Sequence, residues 1–226
     1  MISHRHKCIF IHIPKCAGTS IEAVLGHHEN THEQKERQDH RSIRMLENPI
    51  PPSAFLSAEN LREVVRRYRW QSRDTRPENK LTVTAEQFQS YYKFTIVRNP
   101  WARVHSWYQN VIRDEKHLKA YGISSDMPFD TFLKRHAGNG MLKPQTYWLK
   151  GFDGTIKMDY VGRFEELSKA YADVSPYLQG PVPTSLPHEI RGGHSESWRD
   201  AFTKETRDLI AQVYAEEIEL FGYSFT

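Results

Sequence analysis

Phe10-Ile11-His12-Ile13-Pro14-Lys15-Cys16-Ala17-Gly18-Thr19-Ser20-Ile21-Glu22 is the stretch from which the rest of the chain is read. The apolar, β-branched run Cys8 to Ile13 predicts a strand. Pro14-Lys15 ends it, and the small residues Cys16-Ala17-Gly18 make a loop. Thr19 and Ser20 then open a helix predicted to run to Leu25 and to stop at Gly26. A strand, loop and helix in this order gathers unpaired N–H groups and the positive end of a helix dipole at one place, a setting for an anion. Ala17 and Gly18 allow close backbone approach. Lys15 adds a charge, and Thr19 and Ser20 add hydroxyl donors. A plain βα turn with a hydroxyl cap would look similar. A phosphate loop of the GxxxxGK[ST] type would carry its lysine after the glycines. Here Lys15 precedes Gly18, which disfavours a nucleoside-triphosphatase or kinase while keeping a phosphate-sized ligand.

Outward from this stretch, 226 residues suit one domain with a substantial core. The net charge of +3 does not by itself call for nucleic acid, and a mean hydropathy of -0.70 suits a soluble chain. Cys8 sits in the strand and Cys16 in the loop, so no disulfide framework is expected and a reducing, cytoplasmic setting is the simplest reading. No apolar run reaches membrane-spanning length. His27 to Asn48 is polar. His28, His32 and His40 lie in it, but their spacing matches no compact metal-ligand motif. Ser57 to Trp70 is predicted as a helix with Leu61, Val64, Val65 and Tyr68 on one face. Arg62, Arg66, Arg69 and Arg73 form a basic stripe on the other, either a solvated face or a docking surface for an anionic substrate.

Tyr92 to Val97 is a second strand. It leads through Arg98-Asn99 into a helix predicted from Pro100 to about Leu118, with Asn99 as its cap and Pro100 in its first turn. An arginine at the carboxyl end of a parallel strand, with hydroxyls on the following helix, suits a second phosphate. An arginine that simply pairs with an acidic neighbour is the alternative. Asp159 to Phe164 is a third strand, followed by a helix from Glu165 to Leu178. A proline-punctuated loop precedes the last helix, Thr203 to Phe221, whose Ile210, Tyr214, Ile218 and Phe221 are expected in the core. The expected fold is one α/β domain over residues 1–226, with a mainly parallel central sheet flanked by helices and a P-loop-like strand–loop–helix.

Two segments together, HIPKCAGTSIE after the first strand and TIVRNPWARVHSWY after the second, resemble the PAPS-dependent sulfotransferases, in particular the carbohydrate and glycan O-sulfotransferases and their bacterial homologues (PAPS is 3'-phosphoadenosine 5'-phosphosulfate). Tyr160 to Glu165 and Phe221 to Phe225 are similar to the same family. The resemblance implies that Lys15, Cys16, Ala17, Gly18, Thr19 and Ser20 form the 5'-phosphosulfate loop and that Arg98 and Ser106 clamp the 3'-phosphate. It places Arg163 near the nucleotide and Arg191 to Trp198 in a closing loop. His40, within Asp39-His40-Arg41, resembles the position of a catalytic base, with His28, His32, Glu36 and Asp39 as rivals. The implied reaction is in-line transfer of a sulfuryl group to an acceptor hydroxyl on a carbohydrate, releasing 3',5'-ADP. Lys15 would stabilise the leaving oxygen and no metal would be required. The alternatives are a P-loop-type kinase and a non-catalytic relative that only holds the nucleotide. Tyr147, Trp148 and the arginine stripe are candidates for facing a glycan.

Overall fold

The computed structural model describes residues 1–27, 38–74, 77–186 and 198–226. His28, His32, Glu36 and residues 191–197 of the expected closing loop lie outside them. The strands are β1 (Ile2–Ser3), β2 (Cys8–Ile11), β3 (Tyr92–Val97) and β4 (Tyr160–Arg163). The helices are α1 (Gly18–Val24), α2 (Ile43–Leu46), α3 (Ala58–Arg73), α4 (Ala85–Ser90), α5 (Pro100–Val111), α6 (Glu115–Tyr121), α7 (Phe129–His136), α8 (Gln145–Leu149), α9 (Leu167–Val174), α10 (Lys204–Val213) and α11 (Ala215–Phe221). The chain forms two compact units, one of residues 1–13, 17–97 and 146–190, the other of 14–16, 98–145 and 191–226.

The first unit holds the four-stranded sheet, ordered β1-β2-β3-β4. The pairs β2·β3 and β3·β4 are parallel, and β1·β2 is antiparallel. Cys8–Ile11 is buried at every position, as expected of a parallel strand covered on both faces. Thr95 resolves its buried hydroxyl by donating to the Ile11 carbonyl at 2.8 Å. Gly162 in β4 has no room for a side chain. A Cβ there would lie 2.6 Å from Ala170 Cβ on α9, so the glycine sets how closely α9 packs on the sheet. The α/β class and the mainly parallel sheet are as the sequence predicts.

α3 departs from expectation. Of its apolar stripe only Val64 is buried, while Leu61, Val65 and Tyr68 face solvent. Polar contacts set the helix rotation. Buried Glu63 accepts from Ser42 Oγ and Tyr147 Oη, and Asn60 Nδ2 donates to the Phe152 carbonyl at 2.9 Å. These bonds in a dry site outweigh burial of two aliphatic side chains.

The second unit is helical. Trp101, Val104, Trp107 and Val111 of α5 pack with Phe132 and Leu133 of α7, Leu142, Ile210 and Tyr214. Asn99 caps α5, its Oδ1 accepting from the amides of Trp101 (3.1 Å) and Ala102 (3.4 Å). The predicted helix from Pro100 to Leu118 is in fact two, because Asp114 caps a new start by accepting from the amides of Lys116 and His117. The last helix also breaks, at Tyr214. Its hydroxyl donates to the Leu142 carbonyl at 2.6 Å and accepts from the Gly138 amide at 3.0 Å. In the first unit, the helix expected from Glu165 to Leu178 is α9 with a 3-10 turn at each end.

Candidate active site

The chain leaves the carboxyl ends of three neighbouring parallel strands into the segments singled out from the sequence. After β2 comes His12 to Ser20, after β3 comes Arg98-Asn99, and β4 ends on Arg163, which is exposed and pairs in register with Val97. That edge is where open α/β sheets bind ligands.

In the second unit the segment 14–16 is fixed by main-chain contacts. Arg103, 0 % exposed, donates Nε to the Pro14 carbonyl at 3.2 Å, Nη1 to Lys143 O at 3.0 Å and Nη2 to Met141 O at 2.7 Å. Arg98 Nη1 donates to the Lys15 carbonyl at 3.1 Å. The Arg98 main chain is held in turn by the Gln145 carboxamide. Its Oε1 accepts from the Arg98 amide and its Nε2 donates to the Arg98 carbonyl, each at 2.8 Å. Gln145 Nε2 also donates to Glu217 Oε1 at 3.0 Å, and the Gln145 amide donates to Glu217 Oε2. Burial pushes the Glu217 carboxyl up, against the pull of Arg103 and Gln145. Cys16 Sγ faces Gln145 Oε1 at 3.4 Å.

Lys15 stands in the left-handed region, φ 69°, a conformation that a lysine holds only when its surroundings impose it. Its Nζ donates to Asn110 Oδ1 at 3.5 Å. Burial lowers the Lys15 pKa, and the positive charge of Arg98 lowers it further. Lys15 and Arg98 are both half-buried. Ser106 is half-buried on α5.

In the first unit the loop continues through Ala17 (φ 61°), the residue before α1. No side chain caps that helix. Thr19 Oγ1 accepts from Gln38 Nε2, and Ser20 is buried. The need for glycine at 18 comes from within the protein. A Cβ there would lie 1.9 Å from Cδ2 and 2.1 Å from Nε2 of His12. His12 is buried, its Nδ1 donating to Glu22 Oε1 at 2.9 Å. The same oxygen accepts from the Asp39 amide at 3.2 Å, and the His12 carbonyl accepts from His40 Nδ1 at 3.0 Å. One buried carboxylate therefore ties α1, the end of β2 and the segment bearing His40.

Because a carbonyl can only accept, His40 carries its proton on Nδ1 and keeps the Nε2 lone pair. Its ring lies 4.3 Å from that of His12 and 6.4 Å from that of Trp148. Its carbonyl accepts from Arg66 Nη2 at 3.3 Å. Burial, reinforced by His12, brings the His40 pKa down from 6.5 to about 3, so the ring is neutral throughout the physiological range. Asp39 has a structural part. Burial pushes its carboxyl up, but the Arg41 guanidinium at 2.6 Å more than reverses this and holds it well below the usual range. Trp148 is not a free stacking face, since it is 1 % exposed; the half-buried Tyr147 has Arg44 over its ring at 5.0 Å.

Sequence reasoning missed His12–Glu22, Arg103 and the Gln145–Glu217 pair. A signal for Glu22 existed: Gly18, Ile21, Glu22 and Leu25 share one helix face, so a carboxylate falls on the buried stripe and needs a partner. Among the described residues no group of three or more His, Cys, Asp or Glu side chains is gathered to hold a metal ion. Nor is any helix among them long and apolar enough to cross a membrane.

A family model described as "Sulfotransferase family" matches residues 1–224. The chain is also similar to carbohydrate sulfotransferase 14 of Danio rerio, at 21% identity over 262 residues. That alignment takes in 99% of this chain and 61% of the relative, so the chain spans about three fifths of the relative's length. No solved structure matches.

Proposed function

The chain belongs to the sulfotransferase family, and from that premise we propose that it moves a sulfuryl group from PAPS to an acceptor hydroxyl on a carbohydrate. The observation that carries this reading is that Lys15 and Arg98 each follow the carboxyl end of a parallel strand and are joined by the bond from Arg98 Nη1 to the Lys15 carbonyl at 3.1 Å. The similarity to a carbohydrate sulfotransferase supports the class of acceptor.

In the proposed reaction the acceptor oxygen forms a bond to sulfur as the bond from sulfur to the 5'-phosphate oxygen breaks, and 3',5'-ADP leaves with the bonding pair. Lys15 stabilises the charge growing on the bridging oxygen. Cys16, Ala17, Gly18, Thr19 and Ser20 complete the phosphosulfate loop. Arg98 and Ser106 hold the 3'-phosphate, and Arg163 lies beside the nucleotide. The acceptor proton passes to His40 Nε2, the nitrogen left open by the bond from Nδ1 to the His12 carbonyl. Negative charge brought by the donor pushes the His40 pKa up from its low value, toward the range where a base is effective.

Thermal melting tests the nucleotide. 3',5'-ADP is expected to stabilise the protein without Mg²⁺, whereas stabilisation by ATP–Mg²⁺ with none from 3',5'-ADP would support a kinase. Labelled PAPS offered with a panel of sugars tests the transfer. Binding of 3',5'-ADP with no transfer to any hydroxyl would leave a nucleotide-binding relative.

A further inference from the structure

α3 is turned inside out relative to an ordinary surface helix. Its polar Glu63 is buried, while its apolar stripe meets solvent. Of the seven exposed large hydrophobic side chains among the described residues, five lie between positions 55 and 68. They are Phe55 (60%), Leu56 (85%), Leu61 (46%), Val65 (41%) and Tyr68 (59%). Clustered exposure of this kind marks an interaction surface. At about 100° per residue, Leu61, Val65 and Tyr68 share one arc of the helix, and Arg62, Arg66, Arg69 and Arg73 fill the adjacent arc. Arg66 is held by Glu63 and Tyr147. Arg62, Arg69 and Arg73 are exposed and make no ion pair among the described residues. The exposed carboxylate at the start of the helix, Glu59, is taken by Arg44 at 2.8 Å. A cavity of about 610 Å³ lies along this face, between Leu61 and Val65 on its apolar side, the arginines, and Asp74 at the helix end.

We infer that this face docks the protein on an anionic lipid bilayer, with α3 lying in the interface plane. An apolar stripe flanked by a row of arginines on a helix of low overall hydrophobicity is the pattern of interfacial helices. Leu61, Val65 and Tyr68 enter the headgroup–acyl boundary, and Arg62, Arg69 and Arg73 meet lipid phosphates. A second copy of the chain is disfavoured, because pairing the face with itself brings like charges together. A hydrated acidic polysaccharide would satisfy the arginines and leave the exposed aliphatic groups without a role. This inference does not rest on the sulfuryl-transfer reading.

Co-sedimentation of the full chain with phosphatidylcholine vesicles, with and without phosphatidylserine, tests it. Binding is expected to the anionic vesicles and to weaken with salt. The triple variant Arg62→Gln/Arg69→Gln/Arg73→Gln should bind roughly 100-fold more weakly, from about 1 kcal/mol for each basic residue at an anionic surface. Leu61→Ser/Val65→Ser should lose roughly tenfold. Both variants change exposed side chains, so their melting temperatures and 3',5'-ADP binding should match the parent. Failure to bind anionic vesicles, or variants that bind as the parent does, would overturn the inference. Retention on a sulfated polysaccharide that the triple variant loses, without vesicle binding, would also overturn it and assign the face to an acidic glycan.

Discussion

Gly18→Ala tests the packing under the loop more directly than any change to a charged residue. The added Cβ would sit 1.9 Å from His12 Cδ2, against an ordinary carbon–carbon contact of roughly 3.5–4 Å. The ring must therefore move by roughly 1.5 Å or more. A shift of that size breaks the 2.9 Å bond from Nδ1 to Glu22. It also disturbs the His12 carbonyl that holds His40. Overpacking costs about 1–3 kcal/mol and a lost charge-assisted bond about 1.5–3 kcal/mol. Their overlap gives an expected destabilisation of about 2–5 kcal/mol, or roughly 4–20 °C in melting temperature. The control is His12→Ala, which removes the obstructing ring. In that background Gly18→Ala should cost less than about 1 kcal/mol, because alanine is the better helix former. Urea denaturation of the four proteins yields the coupling energy. An equal cost of Gly18→Ala in both backgrounds would refute the steric argument, and a single variant as stable as the parent would refute the geometry itself.

Lys15→Ala should lower kcat by about 10²–10³-fold while 3',5'-ADP affinity changes little, because the product lacks the sulfuryl group whose departure Lys15 assists. Single-turnover transfer of label from PAPS measures it, and near-normal turnover would remove Lys15 from the chemistry. Arg98→Ala should weaken 3',5'-ADP binding by about 1.5–3 kcal/mol and also reduce kcat, because Nη1 anchors the Lys15 carbonyl. Arg98→Lys should restore neither, since one ammonium cannot both hold that carbonyl and clamp a phosphate; calorimetric titration would detect a rescue. For His40 the sign is set by a folded pKa of about 3 against 6.5. Above pH 6.5 both states are neutral there. Below it the unfolded chain takes up a proton that the folded protein refuses, so stability falls by roughly 1.4 kcal/mol per pH unit until the folded ring protonates. Denaturation between pH 7 and 4 should show a shallower fall for His40→Ala. An activity limb in the mid-acid range that survives in that variant would belong to another group.

The three parallel strands were legible because apolar β-branched runs between turn signals have few other readings, whereas the two-residue β1, Ile2–Ser3, is too short to show a pattern. β3 was expected at Tyr92 to Val97 and occupies Tyr92–Val97. Helix interruptions were not legible, because Asp114 and Tyr214 lie inside continuous helical patterns and act through amides and carbonyls that a sequence does not display. The rotation of α3 was misleading for a related reason: apolar periodicity indicates which side chains share a face, but the Glu63 contacts to Ser42 and Tyr147 decide where that face points. Lys15 and Arg98 could be singled out as chemical groups. Their supports Arg103, Gln145 and Glu217 could not, because each acts on the main chain of residues far away in sequence.

The Gln145 carboxamide bonds both ways to Arg98 as a neighbouring strand's peptide group would, so a side chain stands in for one more rung of sheet. That rung is lent by a residue 47 positions later, and its own orientation is set by Glu217, 72 positions beyond it. On a ribosome, Lys15 and Arg98 emerge long before either support exists. A nascent chain therefore carries the charged groups of the loop well before it can aim them, and the direction of Arg98 is settled only when the helix bearing Glu217 has been made and docked.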